Sequence, residues 1–369
     1  MKTFNNIFTD IITWHNLLKA AHNAGKGKRY QPDVARFHYH LEPSLLQLQH
    51  ELATRTYRPG PYRSFMITDP KERMISAAPF RDRVVHHALC NVIAPIFERT
   101  FIYDSYANRV GKGTHKAIER CQYYSRRYPY VLKCDIRKCF PSIDHLILKQ
   151  EIRWKITCPD TLWLCDLILD NSNLQEEHTI YFPGDDLFTP HERRRGLPIG
   201  NLTSQFWANV YLNRFDHFVK EHLGVPGYVR YVDDFILFSD KKEALHSWKT
   251  DMEAFLGELR LILHPTKTQV HRVTAGVPFL GFRVFPFYRY VNKARAHRAE
   301  RHLCKKASAL RCGSVTPESA ESTLNSWLGH IRFGQSRRME GRVFRRLCEE
   351  GVEVCRHPSG SWRVLEYVS

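Results

Sequence analysis

Gly227-Tyr-Val-Arg-Tyr-Val-Asp-Asp-Phe-Ile-Leu-Phe-Ser239 is an apolar, β-branched and aromatic run interrupted by two adjacent acids, Asp233 and Asp234. Such a run reads as two short buried strands, which puts the carboxylates at or near a hairpin turn. Unpaired carboxylates between buried strands are costly unless something positive compensates them, and a divalent metal is the usual answer. Aspartate is also a favoured turn residue. The stretch by itself therefore leaves a metal site and an ordinary turn both open.

Working outward, Tyr130-Val-Leu-Lys-Cys-Asp-Ile136 reads as a buried strand ending at Asp135, followed by Lys138-Cys-Phe-Pro-Ser-Ile-Asp144. It supplies a third carboxylate. Gly184-Asp-Asp186 repeats the two acidic letters, but Pro183 and Leu187-Phe-Thr-Pro190 flank it instead of apolar strands. It reads as a decoy loop. Gly196-Leu-Pro-Ile-Gly-Asn-Leu-Thr-Ser-Gln205 is a glycine-bounded loop running into a helix, with Phe206, Trp207, Val210, Tyr211, Phe215, Phe218 and Val219 on its core face. Gly200 would let a ligand approach the backbone closely, and Asn201, Ser204 and Gln205 offer neutral hydrogen-bonding groups. A plain helix entry explains most of the same letters.

Nearer the N-terminus, helical spacing predicts helices over 10–24 and 43–54, separated by the basic run Gly25-Lys-Gly-Lys-Arg29. Tyr62-Arg-Ser-Phe-Met-Ile67 and the residues up to Ile75 predict a β-hairpin turning at Asp69-Pro70, with Lys71 and Arg73 near its tip. Those cations are either surface decoration or a clamp for a triphosphate. A long helix follows, with Asp82 as its expected N-cap and Pro95 expected to kink or end it. Gly111 and Gly113 do not complete a phosphate-loop motif, which excludes a Walker-type ATPase. Downstream, a helix over 241–259 precedes Leu261-Ile-Leu-His-Pro-Thr-Lys-Thr268, and Pro278-Phe-Leu-Gly-Phe-Arg-Val-Phe285 predicts another hairpin. Beyond Pro286 the chain reads as basic and helical.

The composition names a partner class. The chain has 369 residues, 55 Lys plus Arg against 38 Asp plus Glu, a net charge of +17 and 43% hydrophobic residues. That combination provides a sizeable core and favours a polyanionic partner such as nucleic acid. No apolar span approaches the ~20 residues of a membrane-crossing helix, and the N-terminus lacks a signal-peptide layout. Ten cysteines without a Cys-x-x-Cys pair match no zinc spacing and suit reduced thiols in a cytoplasmic protein.

Taken in order, these blocks resemble the reverse transcriptases over about residues 62–331: the basic hairpin, the Asp135 strand with Phe140 five residues on, the glycine loop, the Tyr231-Val-Asp-Asp234 hairpin, Lys267-Thr268, and Phe279-Leu-Gly-Phe282. Most members carry Gln-Gly-x-x-x-Ser-Pro at the glycine loop. Here it is Ile199-Gly200-Asn-Leu-Thr-Ser204-Gln205, which resembles the enzymes of diversity-generating retroelements within the group II intron-like superfamily. Tyr57-Arg-Pro-Gly-Pro-Tyr62 and Ala77-Ala-Pro-Phe-Arg-Asp-Arg-Val-Val-His-His87 are similar to that subfamily as well.

The resemblance implies an α+β, right-hand polymerase fold. Residues 1–125 would form an N-terminal extension and fingers interleaved with the palm. Residues 126–285 would form a palm with an antiparallel sheet, with part of the fingers around 150–195. Residues 286–369 would form an α-helical thumb and tail. It implies RNA-directed DNA synthesis from dNTPs, with Asp135, Asp233 and Asp234, helped by the Ile136 carbonyl, holding two Mg²⁺ ions for which Mn²⁺ can substitute. Lys71 and Arg73 would grip the triphosphate, and Phe140 would exclude a 2′-hydroxyl. Gly200 and Gln205 would border the nascent pair, Lys267 would stand near the pyrophosphate, and Phe279, Leu280, Gly281 and Phe282 would hold the primer terminus. Ile199 and Gln205 would set fidelity, with errors concentrated at template adenines.

The implied partners are a template RNA, target DNA and a small basic oligomeric accessory protein, without a membrane, and the implied setting is the cytoplasm, for a bacterial, archaeal or phage-encoded protein. Rival readings are a group II intron, retron or phage-defence enzyme, a catalytically silent RNA-binding scaffold, and a basic membrane-surface protein. The last finds no amphipathic anchor in the sequence.

Overall fold

Thr13 decides how the N-terminus folds. Its hydroxyl accepts from the Asn16 amide and so starts a new helix, which splits the helix expected over 10–24 into α1 (Phe8–Ile12) and α2 (Trp14–Gly25). The computed structural model describes residues 2–68, 72–172, 180–357 and 362–367. A helix not expected from the sequence, α3 (Pro32–Tyr39), starts on a proline that is pre-set for a first helical turn. After it comes α4 (Leu41–Ala53), with Leu45, Leu48 and Leu52 buried on one face.

The predicted hairpin is present as β1 (Arg63–Ile67) and β2 (Arg73–Ala77), antiparallel with Ile67 opposite Arg73. Its expected tip residue Lys71 lies outside the described residues. In α5 (Phe80–Glu98) one expectation fails and another is narrowed. Asp82 is not the cap but a buried first-turn residue, taking hydrogen bonds from the Tyr57 hydroxyl (2.7 Å) and the Gly60 amide (2.8 Å). Pro95 does not end the helix, which continues to Glu98 with the proline inside it.

The remaining elements are α6 (Thr114–Ser125), β3 (Tyr130–Asp135), α7 (Cys139–Ser142), α8 (His145–Arg153), α9 (Pro159–Asp170), α10 (Thr189–Glu192), α11 (Leu202–His217), β4 (Gly227–Tyr231), β5 (Asp234–Ser239), α12 (Lys242–Glu258), β6 (Gln269–Arg272), β7 (Val277–Phe279), β8 (Phe282–Val284), β9 (Arg289–Val291), α13 (Lys293–Arg311), α14 (Pro317–Ile331), α15 (Arg337–Glu349), β10 (Val352–Arg356) and β11 (Trp362–Tyr367). One sheet has the strand order β4-β5-β3-β6 and another β7-β8-β9, while β1-β2 and β10-β11 are two-stranded.

The chain divides into two compact units. The first comprises Met1–Gly113, Cys134–Phe235 and His246–Thr268, and the second Thr114–Lys133, Ile236–Leu245 and Gln269–Ser369. In the first, α2 packs on α5 and α5 on α11. In the second, α13, α14 and α15 bury Leu303, Ala307, Leu310, Leu324, Leu328, Val343 and Leu347. This C-terminal region is not all helix as expected. It ends in the antiparallel β10-β11 hairpin, where Val352-Glu-Val-Cys-Arg356 has the two-residue period of a strand.

Candidate active site

The acidic turn is held in a demanding backbone conformation. Val232, between β4 and β5, has φ 57°, a left-handed setting that costs a β-branched residue roughly 1–2 kcal/mol. Its carbonyl accepts from Arg230 Nη1 at 3.2 Å. Arg230 is completely buried, and its remaining donors are used as well: Nε and Nη2 on the two oxygens of Asp216 (both 2.6 Å), Nη1 on Asn209 (3.2 Å) and Nη2 on the Ser105 hydroxyl (3.2 Å). The Tyr228 hydroxyl completes Asp216 at 2.8 Å. A buried charge is tolerated only with such pairing, and this pairing fixes the carbonyl immediately before Asp233.

Asp135 reaches the same place from β3. The Ile136 amide donates to the Asp233 carbonyl at 3.1 Å, tying the two acidic segments together through backbone. The Asp233 carboxyl is pushed up to about 6, first by burial and then by the charges of Asp234 and Asp135, with Arg73 pulling the other way. Lys267 places its ammonium on Asp135 Oδ2. Among the described residues no group of three or more His, Cys, Asp or Glu side chains is gathered closely enough to hold a metal ion. The acids are brought near one another without forming a finished ligand cluster. Their chemistry nevertheless fits Mg²⁺: the donors are hard oxygens, Asp233 is raised by desolvation and then by neighbouring like charge, and a lysine already supplies positive charge at Asp135.

Arg73 stands exposed at the start of β2. The glycine loop is fastened to that strand. Ser76 N donates to Ile199 O (3.0 Å), Asn201 Nδ2 donates to Ser76 O (3.0 Å), and Ala78 N donates to Asn201 Oδ1 (3.3 Å). Gly200 has φ 118°, a conformation that favours glycine, and a Cβ there would come within 3.1 Å of Ile75 Cγ2, which would have to give by a few tenths of an ångström. The stretch before the loop is anchored by Leu197 N on Phe140 O (2.9 Å) and Gly196 N on Ile143 O (2.8 Å). Phe140, on α7, is therefore next to the loop in backbone terms and half-buried. Ile199 is half-buried and Gln205 exposed.

The expected primer-holding element belongs to the second unit. Phe279 and Phe282 end and begin β7 and β8, with Leu280 (φ 48°) and Gly281 (φ 89°) forming the two-residue turn. Both phenylalanine rings are buried. Phe282 packs edge-on to Phe333 at 5.9 Å. What this element offers to the outside is the turn backbone, whose Leu280 carbonyl accepts from Arg295 at 3.2 Å.

Sequence reading missed Arg230 and Asn201 as positioning residues. The usable signal for Arg230 was an arginine inside an otherwise apolar strand, which demands a buried partner.

The model of the reverse transcriptase (RNA-dependent DNA polymerase) family matches residues 68–284, more than half of the chain. The chain belongs to that family. As a reverse transcriptase it is an RNA-directed DNA polymerase. It is 24% identical over 284 residues to Protein YkfC of Escherichia coli, covering 66% of this chain and 72% of that one. It is 25% identical over 183 residues to the group II intron-encoded protein LtrA of Lactococcus lactis, covering 49% of this chain and 29% of that one. A structure of telomerase from Candida albicans with a fragment of telomeric RNA aligns with 81% of this chain and 61% of its own, at a TM-score of 0.42 and 11% identity. Among the described residues no helix is long and apolar enough to cross a membrane.

Proposed function

We propose that this reverse transcriptase makes mutagenic cDNA from the template RNA of a diversity-generating retroelement. In this reading β1-β2 belongs to the fingers, the four-stranded sheet to the palm and α13–α15 to the thumb of a right-hand polymerase. Asp135, Asp233 and Asp234, with the Ile136 carbonyl, would hold two Mg²⁺ ions, which when bound activate the primer 3′-hydroxyl and neutralise the leaving pyrophosphate. The observation that carries the catalytic assignment is the half-buried Asp233 carboxyl, raised to about 6 by desolvation and by Asp234 and Asp135, in a turn whose Val232 carbonyl is held by Arg230.

The chain's own groups do the positioning. Arg73, with Lys71, grips the triphosphate. Phe140 bars a 2′-hydroxyl. Gly200 and Gln205 border the nascent pair, Lys267 leaves Asp135 for the pyrophosphate, and the turn at Leu280-Gly281 between Phe279 and Phe282 supports the primer end. The partners are template RNA, target DNA, dNTPs and a small basic accessory protein, in a cytoplasmic setting.

Ile199 supports the retroelement assignment, because it presents an apolar side chain where most relatives place a hydrogen-bonding glutamine. The test is sequencing of cDNA copied from an adenine-rich RNA by the wild type and by Ile199→Gln. Errors concentrated opposite adenine, and reduced in the variant, are expected. Equal errors at all four bases reject the retroelement reading and favour a group II intron-type enzyme, the second reading, which the likeness to an intron-encoded protein supports.

A further inference from the structure

A pocket of about 200 Å³ opens beside the glycine loop, lined among others by Lys28, Arg83, His86, His87, Asn201 and Gln205, with no carboxylate in its lining. Lys28 and Arg83 set positive charge beside two imidazoles there. His87 is held below its usual value by burial, then by Arg83 and Lys28, and the fully buried His86 is pushed down to about 3 by burial, His87 and Arg83. Two nitrogens in this cluster, Arg83 Nε and His86 Nδ1, have no hydrogen-bond partner. Arg83 commits Nη2 to the exposed Asp33 at 3.1 Å, outside the pocket lining.

The sixteen-residue helix α11 begins at the same pocket. Asn201 occupies its N-cap position but makes no capping bond, because its side chain is spent on Ser76 and Ala78. The amides of the first turn therefore keep their pull on an anion. Clustered cations, unpartnered buried nitrogens and an uncapped helix start converge on one requirement, a negatively charged oxygen group.

A template-copying polymerase meets three sources of phosphate: the incoming triphosphate, the primer and the template. The first two react at Asp233, where the cation acting on the carboxyl is Arg73. Lys28 and Arg83 act instead on the pocket's own imidazoles. We propose that this pocket holds a backbone phosphate of the unpaired template strand as it approaches the glycine loop. The proposal rests on the reading of the chain as a polymerase copying a template.

Fluorescence anisotropy on two primer–template duplexes tests it, one blunt and one with a single-stranded 5′ template overhang. Arg83→Gln and Lys28→Gln are each expected to weaken binding of the overhang duplex about fivefold at 0.15 M salt and to flatten its log–log salt slope by about 1. The blunt duplex should bind unchanged. A neutral methylphosphonate moved along the overhang should reproduce the loss at one linkage in the wild type and add nothing in Arg83→Gln. Lys28→Gln leaves the Arg83–Asp33 pair intact, so a loss confined to Arg83→Gln indicates a folding role and overturns the proposal. Equal weakening of both duplexes also overturns it, as does a raised KM for dNTP with template affinity intact, which would make this a triphosphate site. A wild-type protein that cannot extend the overhang duplex at all overturns the polymerase reading, and the pocket assignment falls with it.

Discussion

Asp233-Asp234 is preceded by a strand with Tyr228, Val229 and Arg230 buried and followed by residues 235–238, all fully buried, whereas Asp185-Asp186 sits between exposed Gly184 and exposed Leu187. Asp233 titrates in the opposite direction from Asp185 and Asp186. Asp185 is held below the usual carboxylate range first by its hydrogen bond with Arg193, and Asp186 first by its hydrogen bond with the Thr189 hydroxyl. Asp186 Oδ1 also accepts from the amides of Phe188 (3.0 Å) and Thr189 (2.7 Å), while Asp185 Oδ2 accepts from Phe182 (2.8 Å). Asp233 is raised. A carboxylate already served by local donors has little left for a cation. One that is half-buried and crowded by like charge gains from every positive group brought to it.

The largest effect should fall on that contrast. Asp233→Asn should cut primer extension roughly a thousandfold in a Mg²⁺ assay, and Asp185→Asn should leave it within about threefold, since that carboxylate is spent on Arg193 and the Phe182 amide and takes no part in the chemistry. Comparable losses in both would erase the distinction between the two turns.

Next comes the support behind the turn. Arg230→Met strands Asp216 as an unpaired buried charge and should cost roughly 3–5 kcal/mol in urea denaturation. A cost below about 1 kcal/mol would mean that the buried pair does not set the turn.

Burial against local service can also be compared by pH. His86 is neutral when folded, with its pKa below the unfolded value near 6.5, so the unfolded chain binds the extra proton. Stability is then fully present above about pH 6.5 and falls as pH drops toward 3, by at most about 1.4 kcal/mol per unit. His86→Gln should show a shallower fall in Tm between pH 7 and 5, and parallel curves would refute this.

The smallest effect belongs to Asp186→Asn. It should leave the thermal midpoint unchanged within the error of a melting curve, because asparagine can accept the same amides.

Features written into consecutive residues were readable from the sequence. The run around Asp233 produced β4 and β5, the apolar stretch before Asp135 produced β3, and the glycine loop led into α11 as expected. What escaped depends on pairings between distant positions. Asp82 has the letters of a cap, but Tyr57 and Gly60, packed against the same helix, take it into the core. Asn201 looks like a helix cap but serves Ser76 on β2 and Ala78 just beyond it. The ammonium of Lys267 reaches Asp135 from 132 residues away, a contact that no local pattern encodes. Lys71 falls outside the described residues.

The three hydrogen bonds that join Ile199 and Asn201 to Ser76 and Ala78 make the hairpin strand and the glycine loop one lever. Under the proposed roles, Arg73 is at one end of that lever and the surface that meets the template base is at the other. Closing on a triphosphate would then carry the checking surface along with it, so that admission and inspection are a single stroke. An enzyme geared in this way can become permissive through a change in the shape of the far end, here an isoleucine, while its grip on the substrate stays as firm as before.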